Sequence, residues 1–365
     1  MPSYTSVTKA AVVQAEPVWL DADATISKSI EFIERAAREG AEIVAFPEVF
    51  IPGYPWWIWL GDQKWAGQFV VPHHENALEL GDERMKRLQI AAARNSIAVV
   101  MGYCERQGAT RYMSQVFIDA KGTIVGNRRK LKPTHMERTV YGEGDGTDFQ
   151  VHEFPFGRVG ALNCWEHFQP LSKFMMYSLH EQIHVASWPS MSMYQPGSPQ
   201  VSIKTSETVT CSYAIEGACF VLCSTQVYGK AAQDRFCDTA EKKALIPIGG
   251  GFARIFGPGG DSLAEPLPEG EEGILYADLD MRVILEAKAA ADPVGHYARP
   301  DVLSLLVNAN GRTPVRYLDG YGNLMPSVRY PDETAMVLQQ RTLPLLEAGK
   351  YLLESGSDDI GDGRF

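Results

Sequence analysis

The sequence has no long apolar run. Its most aromatic stretch, Tyr54 to Trp65, is broken by Pro55, Gly61, Asp62, Gln63 and Lys64, so no segment reads as a membrane span. The opening Met1-Pro2-Ser3-Tyr4 lacks a charged n-region and an apolar h-region, and no signal peptide is expected. Basic residues are outnumbered: a formal charge of -11 argues against nucleic acid as a partner, because phosphate contacts need clustered Lys and Arg. Cysteine is sparse. Six in 365 residues, without a secretion signal, fit reduced thiols and a cytoplasmic location. There is no C-x-x-C pair and no compact ligand cluster. Cys211, Cys219 and Cys223 are spaced eight and then four apart, so core packing is favoured over zinc, and no metal or cofactor is expected.

What the sequence has is alternation. Val7–Ala15 reads as a buried strand. Ile26, Ile30, Ile33 and Ala37 follow at helical spacing, Gly40 stops the helix, and Glu42–Phe46 is a second strand. Such a strand–helix–strand unit implies a parallel pair with a right-handed crossover. The theme recurs with a helix at Met85–Ala93 and a strand at Ile97–Gly102. Gln115–Asp119 and Thr123–Asn127 read as a hairpin. Arg158–Asn163, Ile183–Ser187 and Phe220–Thr225 read as strands separated by helices at Leu171–His180 and Ser202–Glu216, and Gly251–Phe256 and Gly273–Asp280 close the series. This predicts an α/β fold with helices covering a mixed sheet. Asp292-Pro293, Arg299-Pro300 and Thr313-Pro314 interrupt the later chain, so Asp292–Tyr330 reads as an extended arm and Ser355–Phe365 as a disordered tail.

Three segments carry candidate chemistry. In Asn163-Cys164-Trp165-Glu166-His167 a cysteine stands where an apolar run, Val159–Leu162, breaks off. A thiol at a strand end is well placed as a nucleophile, although buried cysteines are commonly inert packing. Glu48 in Phe46-Pro47-Glu48-Val49 directly follows a predicted strand. It is either a loop carboxylate in water or one that burial penalises unless it is paired or protonated. The run Arg128-Arg129-Lys130-Leu131-Lys132 continues a predicted strand. Alternation would place Arg128, Lys130 and Lys132 on one face and Arg129 on the other, without choosing which lysine points inward.

Glu48 in Phe-Pro-Glu, Lys130 in Arg-Arg-Lys-Leu-Lys-Pro-Thr-His and Cys164 in Asn-Cys-Trp-Glu-His resemble the Glu–Lys–Cys triad of the nitrilase superfamily. Cys-Trp-Glu-His and the Leu131–Gly146 segment resemble the nitrilase branch itself. From about Thr8 to Leu306 the chain is similar to actinobacterial nitrilases acting on aliphatic nitriles. The resemblance implies a four-layer αββα sandwich over residues 1–285, an arm over 286–330 in inter-subunit contacts, and a variable tail over 331–365. It also implies self-association into dimers and a spiral or helical homo-oligomer.

Carried onto this sequence, the resemblance makes Cys164 the nucleophile, Glu48 the base and Lys130 the stabiliser of developing negative charge, with the Trp165 backbone N–H as second donor. Glu137 matches a second glutamate that orients Lys130; its alternative is a plain ion pair with Arg138. Tyr54, Tyr141, Trp165, Phe168 and Trp188 are the expected pocket walls, and His135 and His167 the expected hydrogen-bonding supports. The implied reaction converts a small nitrile to a carboxylic acid and ammonia through a thioimidate and a thioester. Amidase or carbamoylase activity, cyanide hydration, and a non-catalytic filament-forming protein are the alternatives.

Overall fold

The computed structural model describes residues 4, 6–192 and 199–312. Its strands, in chain order, are β1 (Val7–Ala15), β2 (Ile43–Ala45), β3 (Ala98–Gln107), β4 (Thr110–Ile118), β5 (Ile124–Arg129) and β6 (Val151–Phe154). They continue with β7 (Gly157–Asn163), β8 (Ile183–Trp188), β9 (Phe220–Gln226), β10 (Arg254–Phe256) and β11 (Gly273–Asp280). The helices that matter for layering are α1 (Ala22–Arg38), α2 (Glu83–Arg94), α3 (Pro170–Ser178), α4 (Ile203–Gly217) and α5 (Arg282–Ala290).

β1 is the seam of the architecture. Along one edge it pairs antiparallel with β11, from Val7↔Asp280 to Gln14↔Gly273. Its other edge is shared: β2 runs parallel to Ala10–Val12, and β9 takes over at Gln14 and Ala15. Two half-sheets therefore diverge from one strand, β5-β4-β3-β2-β1 with β11 on one side and β9-β8-β7-β6 with β10 on the other.

The side-chain period of two then sorts the core. Ala10, Val12, Ile43, Ala45, Ala98 and Val100 of the first half-sheet share an apolar layer with Val159, Ala161, Ile183, Val185, Phe220 and Leu222 of the second. The alternating residues face outward. Ala11, Val13, Val44 and Val99 meet Ile26, Ile33, Leu88 and Ala92 of α1 and α2. Leu162, Ala186, Val221 and Cys223 meet Met176 of α3 and Tyr213 and Ala214 of α4. Helix, sheet, sheet, helix is the expected αββα order, with both sheets buried on both faces.

Local chemistry ends the helices where the sequence suggests. The Asp21 side chain accepts from Ala24 N–H at the start of α1, Arg35 and Arg38 occupy its last turn, and Gly40 turns the chain at φ +82°. Ser202 caps α4 through Thr205 N–H, and Gln169 with Pro170 opens α3. Several elements went unread in the sequence, among them the short helices Gln63–Ala66, Val70–Glu75, Lys230–Phe236 and Ala240–Leu245 and the two that follow. β6 is four residues long and pairs antiparallel with β7, and α5 occupies part of the stretch where the chain changes character. The described part of the arm, Asp292 to Arg312, has no helix or strand and packs on its own chain. Arg312 donates to Asp145 and pairs with Glu143, and Asn308 lies against Gly146. Residues 313–365, which include the rest of the expected arm and the expected tail, lie outside the described residues.

One glycine fixes the approach of a loop to the sheet. A Cβ on Gly102 of β3 would stand 2.0 Å from the Pro47 carbonyl oxygen and 3.0 Å from Glu48 Cα. Both contacts are backbone and cannot swing aside. Gly102→Ala is expected to lower stability by about 1–3 kcal/mol, the usual effect of overpacking, and to lower activity with it. Thermal melts with parallel assays check this; an unchanged melt would mean the loop yields freely.

Candidate active site

Three chain segments leave their strands and converge. Glu48 follows β2 by three residues, Lys130 directly follows β5, and Cys164 directly follows β7. The ladder carries on past two of these ends: Phe46 N–H bonds Val100 O at 2.9 Å, and Lys130 N–H bonds Met113 O at 2.7 Å. Beyond the ends the backbone is strained. Val49, His135 and Cys164 have φ of 46°, 47° and 48°, a region that L-residues seldom adopt.

The fully buried Lys130 ammonium lies between two carboxylates. Its Nζ donates to Glu48 Oε1 at 2.9 Å and to Glu137 Oε2 at 2.7 Å. Glu137 is held from two further directions. As the third residue of a short capped turn it accepts from Thr134 N–H at 2.6 Å, and it accepts from the Tyr54 hydroxyl at 2.8 Å. Glu48 is held through its backbone, by Trp188 O and by Gln226 Nε2. Its Oε2 has no hydrogen-bond partner among the described residues.

Two carboxylates around one ammonium set the electrostatics. Burial pushes the Glu48 carboxyl up to about 8; Lys130 opposes the rise and Glu137 reinforces it. Burial alone would discharge Lys130, but Glu137 and Glu48 hold its ammonium above the ordinary lysine range. The Cys164 thiol is raised well above its ordinary value, first by burial and then by Glu48. Lys130 and the Trp165 backbone N–H act the other way. The resting sulfur is thus a thiol within the field of a carboxyl that ionises near neutrality and of the Lys130 ammonium, with the Trp165 N–H as its donor.

Cys164 opens into a cavity of about 290 Å³ lined by Tyr54, Trp56, Trp59, His135, Trp165 and Met191, with Glu137 at its polar end. Tyr54 and Trp165 line this cavity. Three other expected walls do not line it. Phe168 is 40% exposed at the surface, beside the Trp165 ring. The Trp188 ring is core, stacked on His167 and edge-on to Phe252, so Trp188 serves the site through its carbonyl. Tyr141 is buried with its hydroxyl 3.1 Å from His73 Nε2. Trp56, Trp59 and Met191 take their places.

The basic run departs from its expected alternation at Lys132, while Arg128 and Arg129 reach different partners. Arg128, Arg129 and Lys130 are all buried, and only Lys132 is exposed, paired with Glu143. Regular pleating stops at Arg129, and each buried cation meets its own acid. Arg129 pairs with Glu105 and lies 3.6 Å over the Tyr112 ring, and Arg128 pairs with Glu166. Arg138 bonds the His135 carbonyl and leaves Glu137 to Lys130.

The histidines divide. His167 is a hydrogen-bonding support: its Nδ1 donates to Cys164 O at 2.7 Å, and its Nε2 faces His184 Nε2 at 3.0 Å. His184 Nδ1 in turn lies 2.9 Å from Glu181, to which Tyr213 donates. Burial and the neighbouring His184 keep His167 neutral, well below the usual imidazole range, and its ring nitrogens are already engaged. That geometry gives it no part as base to Cys164. His135 instead stacks on Trp59 at 5.5 Å and lines the cavity, a ring contact where a hydrogen bond was expected.

Residues 9–289 match the family model for carbon–nitrogen hydrolases. The chain is 65% identical over 321 residues to an aliphatic nitrilase from Rhodococcus rhodochrous, covering 87% of this chain and 84% of that one. It is 49% identical to a nitrilase from Pseudomonas syringae pv. syringae, covering 83% and 90%, and 43% identical to an arylacetonitrilase from Aspergillus niger, covering 90% and 99%. The fold matches a solved carbon–nitrogen hydrolase from Helicobacter pylori at a TM-score of 0.65 and 18% identity, over 82% and 97% of the two chains. With a buried carboxylate, ammonium and thiol meeting at strand ends of an αββα sandwich, the chain belongs to the carbon–nitrogen hydrolase family and, within it, to the nitrilases.

Proposed function

We propose that this enzyme hydrolyses an aliphatic nitrile to the carboxylic acid and ammonia, with Cys164 as nucleophile, Glu48 as base, Lys130 as charge stabiliser and Glu137 as the residue that orients Lys130. The observation that carries the reading is the Lys130 ammonium clasped by Glu48 and Glu137, with Glu137 and Cys164 both lining a largely aromatic cavity. A nitrile is neutral, linear and a poor hydrogen-bonding partner, which suits such walls. The aliphatic preference rests on the relative at 65% identity, which bears that name.

In this mechanism the free Oε2 of Glu48 takes the thiol proton as sulfur adds to the nitrile carbon, and that proton passes to nitrogen to give a thioimidate. Lys130 and the Trp165 N–H stabilise charge first on nitrogen and later on oxygen. Glu48 then activates water. The tetrahedral adduct loses ammonia and leaves a thioester, and a second water releases the acid and restores the thiol. If the adduct expels sulfur instead, amide leaves. Thiol, carboxylate, ammonium and water account for every bond made and broken, so the mechanism calls for no cofactor or metal.

The reading extends to the whole chain. We place the hydrolase domain at 1–285 and the arm from 286, followed by a variable tail over 331–365. Free thiols at all six cysteines suit a reducing cytoplasm. Self-association, in dimers that build a helical homo-oligomer, is supported by the exposed Phe168, Leu171, Phe174 and Ile215 on the outer face of the second half-sheet's helices. Exposed Tyr297, Val302 and Leu303 on the arm add to it. Light scattering on a sizing column is expected to give masses above that of one chain; a monomer at assay concentration would refute it.

Cys164→Ala is expected to lose activity by on the order of 10³-fold or more. Ammonia release from a panel of aliphatic nitriles should exceed that from the matching amides, and faster amide turnover would overturn the nitrile reading. The pH dependence follows from Glu48. Its carboxylate is the active form and its pKa stands near 8, so kcat/KM should rise about tenfold per pH unit below that value and level off above it. Glu137 raises the Glu48 value, so Glu137→Gln should move the limb to lower pH; a limb that stays in place would remove Glu137 from this role.

A further inference from the structure

We infer that Glu166 is a positioning residue that fixes the distance between Lys130 and Cys164, with Arg128 as its buried counter-charge. Its carboxylate has a saturated and unusually placed set of partners. Oε1 accepts from Arg128 at 2.8 Å and from the Leu131 backbone N–H at 2.9 Å. Oε2 accepts from Arg128 at 2.9 Å and from the Asn163 backbone N–H at 2.8 Å. Leu131 is the neighbour of Lys130, and Asn163 is the neighbour of Cys164. One rigid, planar group thereby clasps the two backbone segments that carry the ammonium and the thiol.

The two segments need such a clasp. β5 and β7 lie in different half-sheets, near opposite ends of the strand order, and no strand pairing joins them. Cys164 sits in a left-handed conformation that a free backbone would relax. The clasp is itself anchored, because Arg128 also bonds Gln115 Oε1 at 2.8 Å and Asp148 O at 3.2 Å, which leaves the guanidinium one orientation. Arg128 and Glu166 are both buried and touch none of the cavity's space. Apart from the Glu166 charge, which adds the smallest part of the upward push on Glu48, their effect on the reaction runs through Lys130 and Cys164, and it rests on the roles proposed for those residues.

Glu166→Gln isolates the effect. Glutamine keeps the shape but offers one acceptor oxygen, so in either orientation its amide N–H faces a backbone N–H and one clasp opens. A displacement of about 1 Å at reacting groups costs roughly 10²-fold, so kcat per folded protein should fall by that order while KM stays within about threefold. The pH midpoint for alkylation of Cys164 should rise as Lys130 moves off the sulfur. The double variant Arg128→Met, Glu166→Leu leaves no lone buried charge, although it orphans the Leu131 and Asn163 N–H groups and so lowers the melting temperature; it should show the same loss of kcat per folded protein.

A lowered melting temperature with kcat within threefold and an unmoved midpoint would make Glu166 merely structural and overturn the inference. Failure of both variants to fold would do the same. Cys164→Ala, assayed alongside, separates the two questions. If it stays active, the proposed nucleophile is wrong; if it is inactive while the Glu166 variants are unimpaired, only the clasp is wrong.

Discussion

The structure turns on one ammonium held away from water. Burying a lysine charge costs several kcal/mol unless carboxylates answer it, and Lys130 has two. The second carboxylate has its own consequence. One positive charge cannot fully stabilise two buried negative ones, so the deficit falls on Glu48, the carboxylate with fewer hydrogen bonds. Glu137 takes hydrogen bonds from Tyr54 and Thr134 as well as Lys130, whereas Glu48 has one oxygen unmatched. The two carboxylates are thereby unequal: Glu137 is tied by both oxygens, and Glu48 keeps one oxygen open for a proton.

Everything around this centre keeps it from relaxing. Val49, His135 and Cys164 each hold a left-handed backbone at the site, and each strained turn is surrounded by fixed partners. Gln226 spans the Glu48 and Val49 carbonyls, His167 holds the Cys164 carbonyl, and the capping turn at Thr134 carries Glu137. The seam at β1 supplies the larger frame. By letting two half-sheets part from one strand, it brings the ends of β2, β5 and β7 to the same place.

Much of this was legible in the sequence because it follows from where strands stop. Apolar runs that end at Phe46 and Leu162 announce Glu48 and Cys164, and the alternation of strands and helices announces the layers. Other features had no local mark. An aromatic residue has the same composition in a core as in a pocket wall, so Phe168, Trp188 and Tyr141 could not be told apart from Trp56 and Trp59. The face assigned to Arg128 and Lys132 assumed a strand that in fact ends at Arg129. Glu166 meets Arg128 across 38 residues of sequence, and nothing near either residue names the other. β6 is too short to show a period.

The imbalance of charge also gives the proposed reaction a direction in space. A nitrile enters as a neutral molecule and asks nothing of the Lys130 charge, which Glu137 and Glu48 already claim. The acid it becomes is an anion, the third carboxyl group around a single ammonium. Among the described residues that line the cavity there is no lysine or arginine, and its aromatic walls solvate an anion poorly. The pocket that accommodates the substrate thus rejects the product, and departure into water is the step that the burial of Glu137 favours.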